Sequence, residues 1–142
     1  MARIKIDFPE KIIGNVTIPV RITDINYGNH VGNDSFVSII HEARVQWLAQ
    51  HGFTELNVAG TSLIMGDLAV EFKKESYYGD SIDIKLGAGE ISRVGFELYY
   101  QFWVIRNNET IVLANAKTGM VCYDYAAKKV TGVPDILKEI LE

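Results

Sequence analysis

The sequence predicts an α+β fold in which an antiparallel sheet of five or six strands wraps around one long helix. Three observations support this prediction. One long stretch with helical periodicity follows the first strand, four strand-like stretches come after it in succession, and short turns join those four stretches. Successive strands with short connections form an antiparallel sheet, and such a sheet needs a helix to cover one of its faces.

The first strand is predicted over residues 15–25, where valine and isoleucine alternate with polar residues. A period of two is typical of a strand with one buried face. Pro19 lacks a backbone donor, so we expect this strand at an edge of the sheet or at a bulge. Residues 26–32 follow with two glycines and two asparagines, which favour a loop because they tolerate positive φ.

The long helix is predicted to begin at Asn33 or Asp34, either of which can cap it, and to end before Gly52. Apolar residues recur between these points at spacings of three and four. Roughly 18 residues at about 1.5 Å each give about 27 Å, which is enough to cross a small domain. Because the apolar residues spread beyond one narrow stripe, we expect the helix to be buried on more than one side.

The remaining elements are four strands and a short helix. Turn-forming residues separate the four strands, and Pro134 favours the first turn of the final helix. The strands are predicted over residues 67–74, 81–91, 95–106 and 110–124, and the helix over residues 134–141.

Composition limits the class of protein. The 142 residues, 48% of them apolar, are expected to form a single domain over residues 1–142. A net charge of −4 argues against binding to nucleic acid. One cysteine and three histidines cannot supply an internal disulfide or a four-ligand cysteine zinc site, so no metal site is predicted. No stretch has the pattern of a signal peptide or a membrane span, so a cytoplasmic protein that does not enter a membrane is expected.

The sequence predicts an oligomer, because one long helix can cover only one face of the sheet. The outer face of the sheet is expected to carry Tyr99, Phe102 and Trp103, and the chain offers no further element to shield them. Exposed apolar faces and sheet edges are commonly buried between copies of a chain. A homodimer or homotetramer is therefore expected, with the ligand pocket where two chains meet.

Several motifs occur in order along the chain. The segment RITDINYGNHVGN at residues 21–33 is followed by EAR at 42–44 and WL at 47–48, and then by VEF at 70–72 and YGDSI at 78–82. Together they resemble the hotdog-fold thioesterases, in the branch of the 4-hydroxybenzoyl-CoA and acyl-ACP thioesterases. The resemblance implies a hotdog fold and an enzyme that hydrolyses an acyl-CoA or acyl-ACP thioester to a free acid and a thiol, without a cofactor. Acyl-CoA or acyl carrier protein would be its partner.

Two positions depart from the family pattern. Asn26 stands where these thioesterases usually keep the second aspartate of Asp-x-Asp, and Gly32 stands where an asparagine is usual. An amide cannot accept a proton at neutral pH or act as a carboxylate nucleophile. Either another carboxylate performs the chemistry, or the chain binds acyl thioesters and hydrolyses them weakly or not at all.

Three carboxylates are the candidates for activating water: Glu42, Asp24 and Asp34. Asp34 is the least suited of them, because as a helix cap it would already bind backbone N–H groups. Glu42 lies on the long helix amid apolar residues, where burial would make it a stronger base, and a related hotdog branch uses a glutamate on this helix. Asp24 lies two residues before Asn26, so on a strand both side chains would point to the same side. The alternatives are structural roles. Glu42 would pair with Arg44 or His41, and Asp24 would order the glycine-rich loop.

The loop and the start of the helix supply the remaining candidate groups. Backbone N–H groups there would stabilise the oxyanion of the transition state, unless the helix start is simply capped. The resemblance implies that His30 contacts the loop or the substrate carbonyl, and that Asn26 orients a water or the carbonyl. Tyr27, Gly28 and Asn33 are the candidate substrate-binding residues.

Coenzyme A carries several phosphates, so an acidic chain would need a local basic patch to bind it. Lys73, Lys74 and Arg93 are the candidates, with Lys117 as a further one, and solvated strand ends are the alternative interpretation of each. Cys122 has no basic neighbour in the sequence and is interpreted as a buried structural cysteine.

Overall fold

The computed structural model describes residues 3–142. A 3-10 helix over Ile22–Asp24 precedes the long helix. In chain order the strands and helices are β1 (Ile12–Pro19), α1 (Asn33–Gln50), β2 (Ser62–Phe72), β3 (Ser81–Ile91), β4 (Gly95–Arg106), β5 (Glu109–Asp124), β6 (Lys129–Val130) and α2 (Asp135–Leu141).

All six strands pair antiparallel in one sheet, in the order β1-β3-β4-β5-β2, with β6 beside the end of β5. The predicted α+β class, with one long helix on an antiparallel sheet, is confirmed. β3 and β4 have the predicted bounds, and β1 is an edge strand that ends at Pro19, as a proline in an edge strand allows.

β1 is shorter than predicted. It ends at Pro19 and not at residue 25, because the Asp24 carboxylate accepts a hydrogen bond from the Arg21 N–H at 2.8 Å. This bond satisfies the first donor of the 3-10 helix and turns the chain away from the sheet.

β2 is longer than predicted and begins at Ser62. Gly66 does not interrupt the strand, because the register with β5 shifts between Met65 and Asp67 and the glycine is taken up as a bulge. The strand therefore continues along β5 on both sides of this glycine.

α1 packs against one face of the sheet and forms the core with it. Alternate residues of β4 from Leu98 to Val104 are buried on this face. Phe102 is one of them: it is fully buried and its ring centroid lies 5.3 Å from that of Phe36. The prediction that Phe102 lies on the outer face is therefore wrong, because its position in the alternation places it on the side of α1.

α1 buries one face in the single chain, not more than one as predicted. Its buried residues are Phe36, Ile39, Ile40, Ala43, Arg44, Trp47 and Leu48, which recur at spacings of three and four. On the opposite side Val37 and Val45 keep 38% and 41% of their surface exposed. The helix thus presents some apolar surface to its surroundings.

Residues 3–11 cover part of the outer face of the sheet, which was expected to be bare. The Ile6 N–H donates to the Glu71 carboxylate at 2.9 Å, and the Asn115 amide donates to the Ile6 carbonyl at 3.1 Å. Pro9 crosses Gly87 of β3 so closely that a Cβ there would lie 2.6 Å from the proline ring. These contacts tie the segment across β2, β5 and β3.

A buried polar link joins α1 to the middle of the sheet. Arg44, 4% exposed, donates from Nε to Glu55 at 2.7 Å and from Nη1 to the Tyr100 hydroxyl at 3.2 Å. The Tyr100 hydroxyl lies 2.8 Å from that of Thr118. Burial raises the pKa of Tyr100, so the phenol stays neutral. Burial also acts to raise the pKa of Glu55, but hydrogen bonds from Arg44 and His41 outweigh it and lower that pKa.

Replacing Arg44 by leucine removes one hydrogen-bond donor from Glu55 and one from the Tyr100 hydroxyl. We expect the free energy of unfolding to fall by about 2 to 3 kcal/mol, less than for a fully buried pair, because 21% of the Glu55 side chain is exposed. Urea denaturation at pH 7 measures the change. Arg93→Leu, at an exposed arginine in the turn after β3, is the control and should change it by less than about 0.5 kcal/mol. A loss in Arg44→Leu no larger than in this control would contradict the assigned role.

Candidate functional site

The candidate site is built around the start of α1. Gly32 takes the N-cap position, so neither Asn33 nor Asp34 caps the helix as predicted, and within residues 3–142 no side chain caps it. The Gly32 carbonyl accepts the first helical hydrogen bond, from the Phe36 N–H at 3.1 Å. The N–H groups of residues 33–35 therefore remain available at the positive end of the helix. Such groups can stabilise an oxyanion.

A tight loop holds Asn26 beside this helix start. Ile25 and Val31 form an antiparallel bridge, and the Asn26 N–H donates to the His30 carbonyl at 2.9 Å. The side-chain Oδ1 of Asn26 accepts the Gly28 N–H at 2.9 Å. Its Nδ2 makes no hydrogen bond to the described part of the chain, so it can donate to a substrate oxygen or a water.

A cavity of about 250 Å³ lies between the loop, the start of α1 and the end of β2. The His30 imidazole at its rim has Nδ1 3.2 Å from the Val31 carbonyl and Nε2 3.8 Å from Glu75 Oε1. This loop cavity is lined by His30, Val31, Asn33, Phe36, Phe72, Lys73, Lys74 and Glu75. The structure thus brings the predicted residues His30 and Asn33 together with the predicted Lys73 and Lys74.

Asp24 lies in a different cleft, of about 310 Å³, between α1 and β1. Asp24 is 4% exposed, and its carboxylate accepts hydrogen bonds from the Arg21 N–H at 2.8 Å and from the Arg21 guanidinium at 3.4 Å. Because Asp24 lies in the 3-10 helix, the prediction that it shares one side of a strand with Asn26 is wrong. Its carbonyl accepts the Gly32 N–H at 3.1 Å, so the residue lies next to the start of α1.

Glu42 lines the same cleft but is exposed, not buried as predicted. Its carboxylate accepts a hydrogen bond from the Gln46 amide at 2.9 Å. The alternative pairing with Arg44 or His41 is wrong as well, because both of these bind Glu55. Glu42 lies about 13 Å along the helix from its start.

Three other residues of the sequence analysis lie apart from the loop cavity. Tyr27 is fully exposed at the tip of the loop. Arg93 follows β3, whose length separates it by about 30 Å from the loop cavity in the same chain. Cys122 is buried as predicted, and burial raises its pKa to about 11, so the thiol stays protonated.

Sequence reasoning missed Glu75 and the cluster that positions it. Buried Ser76 donates to the Asp80 carboxylate at 2.8 Å, and its carbonyl accepts the Val31 N–H at 2.8 Å. Arg106 donates to Asp80 at 2.6 Å and to the Glu75 carbonyl at 3.0 Å. The glycine-aspartate turn was visible in the sequence, but its arginine partner lies 26 residues later.

Within residues 3–142, no group of three or more His, Cys, Asp or Glu side chains is placed to hold a metal ion. No helix of the described chain combines the length and the apolar character that a membrane crossing requires.

Comparisons with known proteins agree with the motif. A family model, described as the thioesterase-like superfamily, matches residues 20–141. A relative from Aquifex aeolicus (strain VF5), named "Putative esterase", is 26% identical over 114 residues, which cover 79% of this chain and 82% of the relative.

Two solved structures show the same fold. A "putative Thioesterase" from Pseudomonas aeruginosa superposes with a TM-score of 0.83 at 20% identity, covering 93% of this chain and 100% of that chain. A mutant of 4-hydroxybenzoyl CoA thioesterase, complexed with 4-hydroxybenzoyl CoA, superposes with a TM-score of 0.80 at 14% identity, covering 90% and 97%. The hotdog fold that the resemblance implied is confirmed.

The pKa of Asp80 reflects its hydrogen bonds to Ser76 and Arg106, in the cluster that joins the loop at residues 26–32 to the connection between β2 and β3. Burial acts to raise this pKa, but hydrogen bonds from the Tyr77 N–H, Arg106 and Ser76 outweigh burial and lower it. A carboxylate with a lowered pKa in the folded state stabilises the fold above its unfolded pKa. That contribution is lost as the pH falls toward the folded pKa.

Asp80→Asn is therefore expected to lower the free energy of unfolding by about 1 to 2 kcal/mol at pH 7. The difference from wild type should shrink as the pH falls from about 5 to about 2, where the wild-type carboxylate becomes protonated. Urea denaturation across this pH range measures both. Asp7→Asn, at an exposed aspartate, serves as the control. A difference that stays constant with pH would show that the charge of Asp80 does not stabilise the two loops.

Proposed function

The chain belongs to the thioesterase-like superfamily, and from this premise we propose that it hydrolyses an acyl-CoA thioester to a free acid and coenzyme A. The observation that carries the proposal is the uncapped start of α1, which lies beside the Asn26 amide and opens into a cavity with two lysines. Thioester hydrolysis needs donors for the oxyanion and a group that activates water. Backbone N–H groups of residues 33–35 are suited to the first task.

Binding of the thioester is assigned to the loop cavity. Its exposed Lys73 and Lys74 suit the phosphates of coenzyme A, and its His30 and the Asn26 amide can contact the thioester carbonyl. Lys73 Nζ is also 3.4 Å from Glu71, and 40% of the Lys73 side chain remains exposed. Acyl carrier protein is the alternative thiol partner, and the loop cavity would then receive its phosphopantetheine phosphate.

A carboxylate is proposed to activate water, and Asp24 and Glu42 are the two candidates. Asp24 lies nearer the start of α1, to which its carbonyl is hydrogen-bonded through Gly32. Glu42 is more exposed and lies farther along the helix. In either case the carboxylate takes a proton from water as the water oxygen attacks the carbonyl carbon. The helix N–H groups stabilise the oxyanion, and its collapse breaks the C–S bond to give the free acid and the thiolate of coenzyme A.

Asp24→Asn is expected to lower kcat by about 100-fold or more if Asp24 activates water, and Glu42→Gln is expected to do so if Glu42 does. Hydrolysis of short, medium, long and aromatic acyl-CoAs is followed by release of the free thiol. Glu139→Gln, at an exposed carboxylate of α2, is the matched control and should leave kcat unchanged. Wild-type protein that turns over none of these substrates above background would contradict the enzymatic proposal, and full activity in both variants would contradict the assignment of the carboxylates.

A second candidate function is binding of acyl thioesters with weak or no hydrolysis. It is favoured by Asn26, whose Oδ1 already accepts the Gly28 N–H and which offers no carboxylate at the helix start. The same thiol-release assay on Asn26→Asp distinguishes the two functions. A large gain in kcat in this variant would support the binding function, whereas an unchanged or lower kcat would support hydrolysis by another carboxylate.

A homodimer through β2 is proposed as the functional assembly. β2 is an edge of the sheet, and near it Met65, Phe72 and Val37 keep 41%, 43% and 38% of their surface exposed. Edge strands with apolar neighbours are suited to pairing with another chain. A homotetramer would require a further contact between such dimers.

Light scattering is expected to give a mass near twice the chain mass of 15.9 kDa. Met65→Glu places a charge beside the β2 edge and should shift the protein toward the monomer, because burying an unpaired charge is costly. Tyr125→Glu, at a residue 55% exposed in the turn after β5, is the control. A wild-type monomer, or a dimer equally stable in Met65→Glu, would contradict assembly through this edge.

A further inference from the structure

A third cavity, of about 310 Å³, lies between α1 and the edge strand β2. We call it the edge cavity; its lining residues are Val37, Ser38, Ile40, His41, Arg44, Met65 and Leu68. It follows the loop cavity along the same two elements. Phe36 and Phe72 line the loop cavity, whereas Ile40 and Leu68, four positions away on each element, line the edge cavity.

The walls of the edge cavity are mainly apolar, as an acyl group requires. Val37 and Ile40 of α1 face Met65 and Leu68 of β2 across the edge cavity. The cavity reaches His41 and Arg44, about 12 to 16 Å along the helix from the uncapped start. An acyl group whose carbonyl lies at the helix start would thus extend toward these two basic residues.

The far end of the edge cavity is polar. Arg44 is 4% exposed and uses two of its N–H groups in hydrogen bonds to Glu55 and Tyr100. A guanidinium has five N–H donors, and the others have no hydrogen-bond partner in the described part of the chain. His41 Nε2 lies 2.5 Å from the other Glu55 oxygen, which leaves its Nδ1 for a further contact.

These groups set the chemistry that the end of an acyl chain would meet. An alkyl end would displace water from the N–H donors of buried Arg44 without replacing its hydrogen bonds, which costs free energy. A hydroxyl or keto oxygen could accept a hydrogen bond from them. The Glu55 carboxylate already balances the charge of Arg44, so the cavity suits a neutral oxygen better than a second carboxylate.

We propose that the edge cavity selects acyl groups that carry a hydroxyl or keto oxygen at their far end, and that Arg44 and His41 are the residues that determine this specificity. The inference rests on the proposed hydrolysis of acyl-CoA and names the class of acyl group. Sites built to hydrogen-bond an oxygen reject the analogue that lacks it far more strongly than apolar pockets reject an extra methylene.

The test compares pairs of acyl-CoAs that differ only at the far end: decanoyl-CoA against its ω-hydroxy derivative, and octanoyl-CoA against its ω-hydroxy derivative. Wild-type kcat/KM is expected to be at least about tenfold higher for the hydroxylated member of one or both pairs. Equal kcat/KM within both pairs, or a preference for the alkyl member, would overturn the proposal.

Two variants test the residues. His41→Leu changes a side chain that is 60% exposed, so folding should be retained, and it is expected to reduce the preference by at least about threefold. His51→Leu, at a second exposed histidine just past the end of α1, is the matched control and should leave the preference unchanged.

Arg44→Met is expected to abolish the preference, and size exclusion with thermal unfolding shows whether it keeps the wild-type assembly. A preference unaltered in His41→Leu would overturn the role of the polar end, whether or not Arg44→Met folds.

The selectivity of the edge cavity can be tested separately from hydrolysis, so failure of the proposed function and failure of this inference give different results. If no thioester is hydrolysed, calorimetry with decanoic acid and ω-hydroxydecanoic acid tests the edge cavity directly. Tighter binding of the hydroxy acid, weakened in His41→Leu, would uphold the inference without hydrolysis. Equal or no binding of the two acids would overturn it.

Discussion

The hydrogen bonds of Arg44 are the constraint on which the arrangement of this molecule depends. α1 packs its apolar face against the sheet, and Arg44 adds hydrogen bonds whose direction is fixed. The guanidinium is bound to Tyr100 in the middle of β4 and to Glu55 in the connection that leads to β2. A buried charge with two defined partners is satisfied in one orientation only, so this link sets the position of α1 over the sheet. The start of α1 and the cavities on its flanks are positioned as a consequence.

The candidate chemistry depends on the first turn of α1, where no described side chain caps the backbone N–H groups. With Gly32 at the N-cap, the first turn keeps its N–H groups for a ligand, and the tight loop before it places the Asn26 amide alongside. The connection between β2 and β3 holds this loop from the other side through the Ser76 carbonyl. Rigid support from two directions is what a site for a developing oxyanion requires.

Local patterns predicted the elements whose neighbours in sequence are also their neighbours in space. β3 and β4 have the predicted bounds because turn-forming residues separate them and alternation is regular between the turns. β1 was predicted too long because one carboxylate, that of Asp24, captures a backbone donor that a strand would have used. β2 was predicted too short because Gly66 has the appearance of a break, and only its pairing with β5 shows that it is a bulge.

The sequence by itself determined the fold class, the family motif and the absence of a carboxylate at Asn26, since these depend on residue type and local spacing. Tertiary structure decided which side chains share a cavity. It brought Glu75 within 3.8 Å of His30 and left Glu42 exposed. It also placed Arg93 beyond the end of β3 that is far from the loop cavity. The physical reason is that a strand separates its ends by about 3.3 Å per residue, whereas pairing joins residues distant in the chain. Distances across the sheet are therefore not encoded in distances along the sequence.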